Sequence, residues 1–112
     1  MANRQKLVRG EAFSIAFFCV SLPLIQGRRY DLVDGDKLIF TIGRKDRKPI
    51  VRLTYPGSIE RDVNNTFMVH LTAQDTVDFP CLLYDMCLSV DLQGHGKEIY
   101  TLVKQELEVV AK

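Results

Sequence analysis

The sequence predicts an all-β domain, an antiparallel β-sandwich of seven to eight short strands. Apolar residues recur at every second position in several segments, which is the strand period. Turn-forming residues break those segments at short intervals. No stretch carries the apolar period of about 3.6 residues that an amphipathic helix needs. A chain of 112 residues suits one domain, 1–112, whose core can form without a metal or a disulfide.

The first predicted core strand is Phe13-Ser14-Ile15-Ala16-Phe17-Phe18-Cys19, with Phe13, Ile15, Phe17 and Cys19 inward. Residues 21–35 read as irregular, marked by Pro23, Gly27 and the turn Asp34-Gly35-Asp36. Lys37–Ile42 and Ile50–Tyr55 form a hairpin across the polar loop 43–49. Leu38, Phe40 and Ile42 share one of its faces, as do Val51, Leu53 and Tyr55. Pro56-Gly57-Ser58 closes the hairpin, and 58–65 reads as a polar connection. Thr66–Leu71 returns with Phe67, Val69 and Leu71 inward. Thr72 and Asp75 have the spacing of a helix N-cap pair, which predicts a short helical turn. The clearest strand is Leu83–Leu92, with Tyr84, Met86, Leu88 and Val90 on one face and Asp85, Cys87, Ser89 and Asp91 on the other. Gly94-His95-Gly96 reads as a hairpin turn, Glu98–Val103 as the returning strand and Glu106–Val110 as a further, last strand. Many short strands and no helices are the cues for a sandwich or barrel.

Composition narrows the function. A net charge of +1 gives no global field for nucleic acid or for an acidic partner. Three cysteines cannot all pair, so reduced thiols are the simplest reading, with Cys81 and Cys87 the possible pair. Arg4, Lys6 and Arg9 precede an apolar stretch from Ala12 to Ile25, the order found in an export signal. Glu11 at its start, Pro23 within it and the lack of a small-residue cleavage site favour a core strand. The chain is therefore expected to be soluble, without a signal peptide or a membrane span.

Catalytic chemistry needs a nucleophile, a base and a group that orients the base. The sequence has two histidines, and nothing in it places a nucleophilic Ser or Cys beside His70 or His95. No catalytic residue and no cofactor is assigned. Cys81 and Cys87 lack ligand spacing, and Asp31, Asp34 and Asp36 around Gly35 do not match a calcium loop. That turn reads as Asp34 bonding the backbone while Gly35 takes positive φ. The basic cluster Arg44, Lys45, Arg47, Lys48 and Arg52 is interrupted by Asp46 and has no interleaved aromatic platform. It reads as a solvated hairpin tip that also discourages edge aggregation, and nucleic acid is not expected. Asn64-Asn65-Thr66 fits a glycosylation acceptor, which matters only in a secreted eukaryotic protein. Arg28, Arg29 and Tyr30, in the irregular segment, are the candidate binding residues.

Several segments in order resemble a known family. Leu7-Val8-Arg9-Gly10-Glu11 opens into an apolar strand, and Leu32-Val33-Asp34-Gly35-Asp36-Lys37-Leu38-Ile39-Phe40-Thr41-Ile42 follows as a turn and strand. Phe67–Thr76 then supplies a strand and loop, and Tyr84-Asp85-Met86, Asp91, Gly94, Gly96 and Tyr100-Thr101-Leu102-Val103 a closing hairpin. Together they resemble the N-terminal domain of the baseplate upper protein of phages of Gram-positive bacteria and related prophage tail-adaptor domains. Pro80-Cys81-Leu82-Leu83 departs from that pattern, which usually has a glycine step there. The resemblance implies an immunoglobulin-like fold and a virion structural role without catalysis. Its implied partners are other tail or baseplate proteins, or further copies of the chain. A freestanding module that binds carbohydrate or a surface protein is the alternative.

Overall fold

The computed structural model describes residues 4–17, 35–62, 66–96 and 99–112. Cys19, the candidate residues Arg28, Arg29 and Tyr30, and the asparagines of the acceptor motif lie outside them. The described residues form eight strands: β1 (Arg4–Val8), β2 (Phe13–Phe17), β3 (Lys37–Gly43), β4 (Val51–Tyr55), β5 (Glu60–Asp62), β6 (Thr66–Leu71), β7 (Leu83–Asp91) and β8 (Ile99–Val110). One short helix, α1 (Ala73–Thr76), joins β6 to β7. The strands make a five-stranded sheet, in the order β1-β8-β7-β3-β4, and a three-stranded sheet, in the order β2-β6-β5. The second, fifth and sixth strands on one sheet and the third, fourth, seventh and eighth on the other are the immunoglobulin partition, B-E-D against C′-C-F-G. The chain is thus an immunoglobulin-like β-sandwich.

The core is where period two places it. Leu38, Phe40 and Ile42 of β3, Phe67, Val69 and Leu71 of β6, and Tyr84, Met86, Leu88 and Val90 of β7 are all buried. Phe17 of β2 meets Phe40 of β3 across the sandwich, with ring centroids 6.0 Å apart. Val51 is buried, while Leu53 and Tyr55 are only partly covered, because β4 is a sheet edge. Antibody-type sandwiches set a tyrosine two residues before the second cysteine of the inter-sheet disulfide, its hydroxyl bonded to backbone just upstream. Here Tyr84 Oη donates to the Pro80 carbonyl at 2.9 Å. Met86 stands where that cysteine would be, and Cys81 and Cys87 are free. Apolar packing alone joins the two sheets at this point.

The end of the sandwich near α1 is held by side-chain bonds. Thr72 Oγ1 accepts from the Asp75 N–H at 3.2 Å, and Asp75 Oδ2 accepts from the Thr72 N–H at 2.8 Å. This reciprocal box starts the helix where the sequence placed it. Thr76 is fully buried; its hydroxyl donates to the Glu11 carbonyl at 2.9 Å and accepts from Gly10 N–H at 3.0 Å. The turn between β1 and β2 is thereby fastened to α1.

The other end is held by two buried carboxylates. Asp36 Oδ1 accepts from Gln93 N–H at 2.9 Å and from Gln93 Nε2 at 3.1 Å, and Asp91 accepts from Gly96 N–H. A 3₁₀ turn over Leu92–Gly94 opens the β7–β8 connection, which is therefore broader than a tight turn at Gly94-His95-Gly96. Gly35 takes positive φ as expected, but Asp36 is a backbone-bonding carboxylate there, while Asp34 lies outside the described residues.

Four expectations need correction. The first strand is β1, not the apolar stretch; Arg4 and Lys6 belong to a strand lying opposite Glu106 and Glu108 of β8. That pair is parallel, so the sandwich is not antiparallel throughout. Glu60–Asp62 is a strand, paired with β6, and not a polar connection. The two terminal strands are one, β8, which runs unbroken through Lys104 and Gln105, opposite Cys87 and Met86; a bulge lies just before them, where Val103 faces Leu88 but Thr101 faces Ser89, leaving Leu102 extra.

Replacing Leu88, which has no exposed surface, by Asp strands an unpaired charge at a cost of several kcal/mol, against a total stability of about 5–15 kcal/mol. The Leu88→Asp chain is expected to show no cooperative urea transition by circular dichroism. Tyr84→Phe should fold and lose about 1 kcal/mol, read as a lower urea midpoint at unchanged slope.

Candidate functional site

The β3–β4 hairpin tip gathers most of the local charge. Arg47 N–H bonds the Arg44 carbonyl at 3.1 Å, and Asp46 sits between them at φ 64°, a left-handed conformation that Asp tolerates better than most residues. Pro49 packs close against Gly43: a Cβ on that glycine would lie 3.1 Å from Pro49 Cα. The tight tip projects Arg44, Lys45 and Arg47 over two adjoining grooves on the outer face of the five-stranded sheet. One, of about 310 Å³, is walled by Leu83, Tyr84, Asp85 and Glu106. The other, of about 410 Å³, is walled by Thr41, Pro49, Asp85, Cys87 and Lys104.

Strand register explains this company. Gly43 pairs with Asp85, Asp85 with Glu106 and Glu106 with Arg4, so one row crosses four strands. Arg4 and Glu106 close a salt bridge at 3.1 Å within it. The next row runs Arg52, Thr41, Cys87, Lys104. Burial raises the Cys87 thiol pKa, Asp85 raises it further and Lys104 opposes both. Burial likewise raises the Tyr84 pKa, with Arg44 opposing. The structure thus brings Arg44, Lys45 and Arg47 together. Arg52 instead lies on β4 and borders grooves on either side of that strand, and Lys48 lines neither tip groove.

A second constellation corrects the reading of the histidines. Ser14 lies opposite His70 in the β2–β6 pair, with Ser14 Oγ 2.8 Å from His70 Nδ1. Glu60 Oε2 of β5 is 3.5 Å from His70 Nε2. A hydroxyl, an imidazole and a carboxylate therefore stand in line across three strands. His70 is on the solvent face as expected, its side chain 46% exposed, and that of Glu60 is 68% exposed. Nucleophilic catalysis also requires the reacting carbonyl to be held against preorganised donors. His70 borders a groove with Ser58 and Asp75, but Ser14 and Glu60 line none of the grooves described here, and Glu60 stands opposite Met68, two residues along β6 from His70. What the string does visibly is tie β2, β6 and β5 together.

His95 borders a groove of about 450 Å³ at the opposite end from the hairpin tip, with Lys37, Arg52 and Asp91. No group of three or more metal-ligating side chains occurs among the described residues. No helix among them is long and apolar enough to cross a membrane.

No protein-family model and no curated relative matches the chain. Among solved structures it is similar to the ZIG-8–RIG-5 IG1–IG1 heterodimer in its monoclinic crystal form, at a TM-score of 0.47 and 13% identity. That match covers 98% of this chain and 83% of the other. The fold assignment stands on the strand partition itself.

The two described thiols should differ in reactivity. Because the Cys87 pKa is raised, less of it is thiolate near neutral pH, and it is also partly buried. Iodoacetamide should modify exposed Cys81 first, with the Cys87 rate catching up as pH rises through its folded-state pKa. Peptide mapping of the alkylated native protein reads both rates.

Proposed function

We propose that this domain is a non-catalytic docking module, a phage or prophage tail or baseplate adaptor that binds other virion proteins through the outer face of its five-stranded sheet. The observation that carries this reading is the hairpin-tip corner. Arg44, Lys45 and Arg47 make no ion pair among the described residues, whereas Arg4 and Lys112 each have a carboxylate partner. Beside them Leu83, which lines the same groove, stands 45% exposed. Unpaired arginines are enriched at protein interfaces, and Leu83 beside them offers exposed apolar surface. The ordered sequence resemblance to baseplate and tail-adaptor domains supplies the setting.

The sheet face suits such a role. Its rows are fixed by backbone pairing, so the Cβ positions on it are set before a partner arrives, and association has only side chains left to order there. Rim cations also raise the encounter rate with a complementary surface. The alternative, a freestanding module for carbohydrate or a surface protein, rests on Arg28, Arg29 and Tyr30, which lie outside the described residues.

Mass spectrometry of particles purified from an induced host strain tests the proposal. The chain should be present in stoichiometric amount and should crosslink to a tail protein through Lys45 or Lys104. Absence from particles, together with a gene placed in a metabolic operon, would sink it.

A further inference from the structure

We infer that the corner beneath Arg44, Lys45 and Arg47 takes an acidic, extended protein segment with interspersed apolar side chains, in preference to a nucleic-acid backbone. The inference deepens the docking reading, because the segment would belong to the partner. Residues 44–47 hold three cations and one carboxylate, while the whole chain nets only +1. The remainder of the chain is therefore net acidic, so the tip is a local concentration of positive charge. An approaching polyanion meets an attraction here that the chain as a whole, at +1, does not offer.

The groove walls choose between kinds of polyanion. Asp85 borders both grooves, and Glu106 borders one. A phosphodiester backbone carries a negative charge at every unit and cannot pass Asp85 without facing it, whereas Glu106 is already paired with Arg4 at 3.1 Å. An extended peptide presents alternate side chains on one face, so carboxylates recur only about every 6.6 Å, and the intervening side chains are free to be apolar. Such a segment can set its carboxylates against the Arg44 and Arg47 guanidinium groups, which bind carboxylates in a bidentate fork. Its apolar side chains then reach Leu83, at the mouth of the same groove.

Fluorescence anisotropy with the full chain and a labelled peptide of alternating Glu and Leu tests this. Binding should weaken as salt is raised. It should fall by about tenfold in Arg44→Ala/Arg47→Ala, equivalent to about 1.4 kcal/mol. It should also weaken in Leu83→Ala, and be unchanged in Lys6→Ala/Lys37→Ala, which removes the same charge elsewhere. An alternating Glu and Ser peptide should bind more weakly than the Glu and Leu peptide. An oligothymidylate of equal charge should bind more weakly still, and should gain from Asp85→Asn. Tighter binding of the oligothymidylate, no binding of the Glu and Leu peptide, or indifference to Arg44→Ala/Arg47→Ala would overturn the inference. Particle incorporation separates it from the docking reading. If the wild-type chain enters particles in stoichiometric amount but does not bind the Glu and Leu peptide, this inference alone fails. If the wild-type chain binds the peptide but is absent from particles, the virion role alone fails.

Discussion

The structure depends on β7. It pairs with β3 on one side and β8 on the other, and it buries Tyr84, Met86, Leu88 and Val90 into the space between the sheets. Every strand of the larger sheet is placed directly by β7 or by a neighbour it positions. The Tyr84 hydroxyl bond to Pro80 fixes where β7 begins. With Met86 at the customary disulfide position, register and packing density at this strand do the work that a covalent bridge does elsewhere.

The same register builds the candidate site. Asp85, Cys87 and Ser89 occupy the outward positions of a strand whose inward positions are all core, so they cannot shift without dragging apolar groups into water. Asp85 is therefore held beside the hairpin tip by the requirement that Tyr84 and Met86 be buried. The corner joins two kinds of element: a tight tip that carries the cations, and a rigid sheet that supplies carboxylates and apolar walls. The tip is stiffened locally, by the Arg47 to Arg44 backbone bond and the Gly43–Pro49 contact.

What the sequence disclosed follows from how local each signal is. Strands β3, β6 and β7 were legible because one buried face imposes strict alternation, and α1 because its cap is a contact between Thr72 and Asp75. Strands β1 and β5 were not: Arg4-Gln5-Lys6 and Glu60-Arg61-Asp62 are edge segments whose polar residues are satisfied by neighbouring strands or by water, which leaves no apolar period. The polar run Lys104-Gln105-Glu106, which the ladder crosses without a break, disguised one strand as two. Arg44, Lys45 and Arg47 were visible as a cluster, but Asp85 and Glu106 join them only through pairing between distant segments. Ser14 meets His70 for the same reason, a cross-strand register that no local pattern encodes.

The parallel pairing of β1 with β8 has a mechanical meaning. Arg4 lies opposite Glu106 and Val8 opposite Val110, so the chain enters this pair at one end and leaves it at the other. Tension applied between the two ends of the chain pulls β1 and β8 past each other along their length. Their inter-strand hydrogen bonds are then loaded together, in shear, instead of opening one after another like a zipper. A domain wired this way resists stretching along its own chain more strongly than its modest edge strand would suggest, a useful property in any assembly that transmits force.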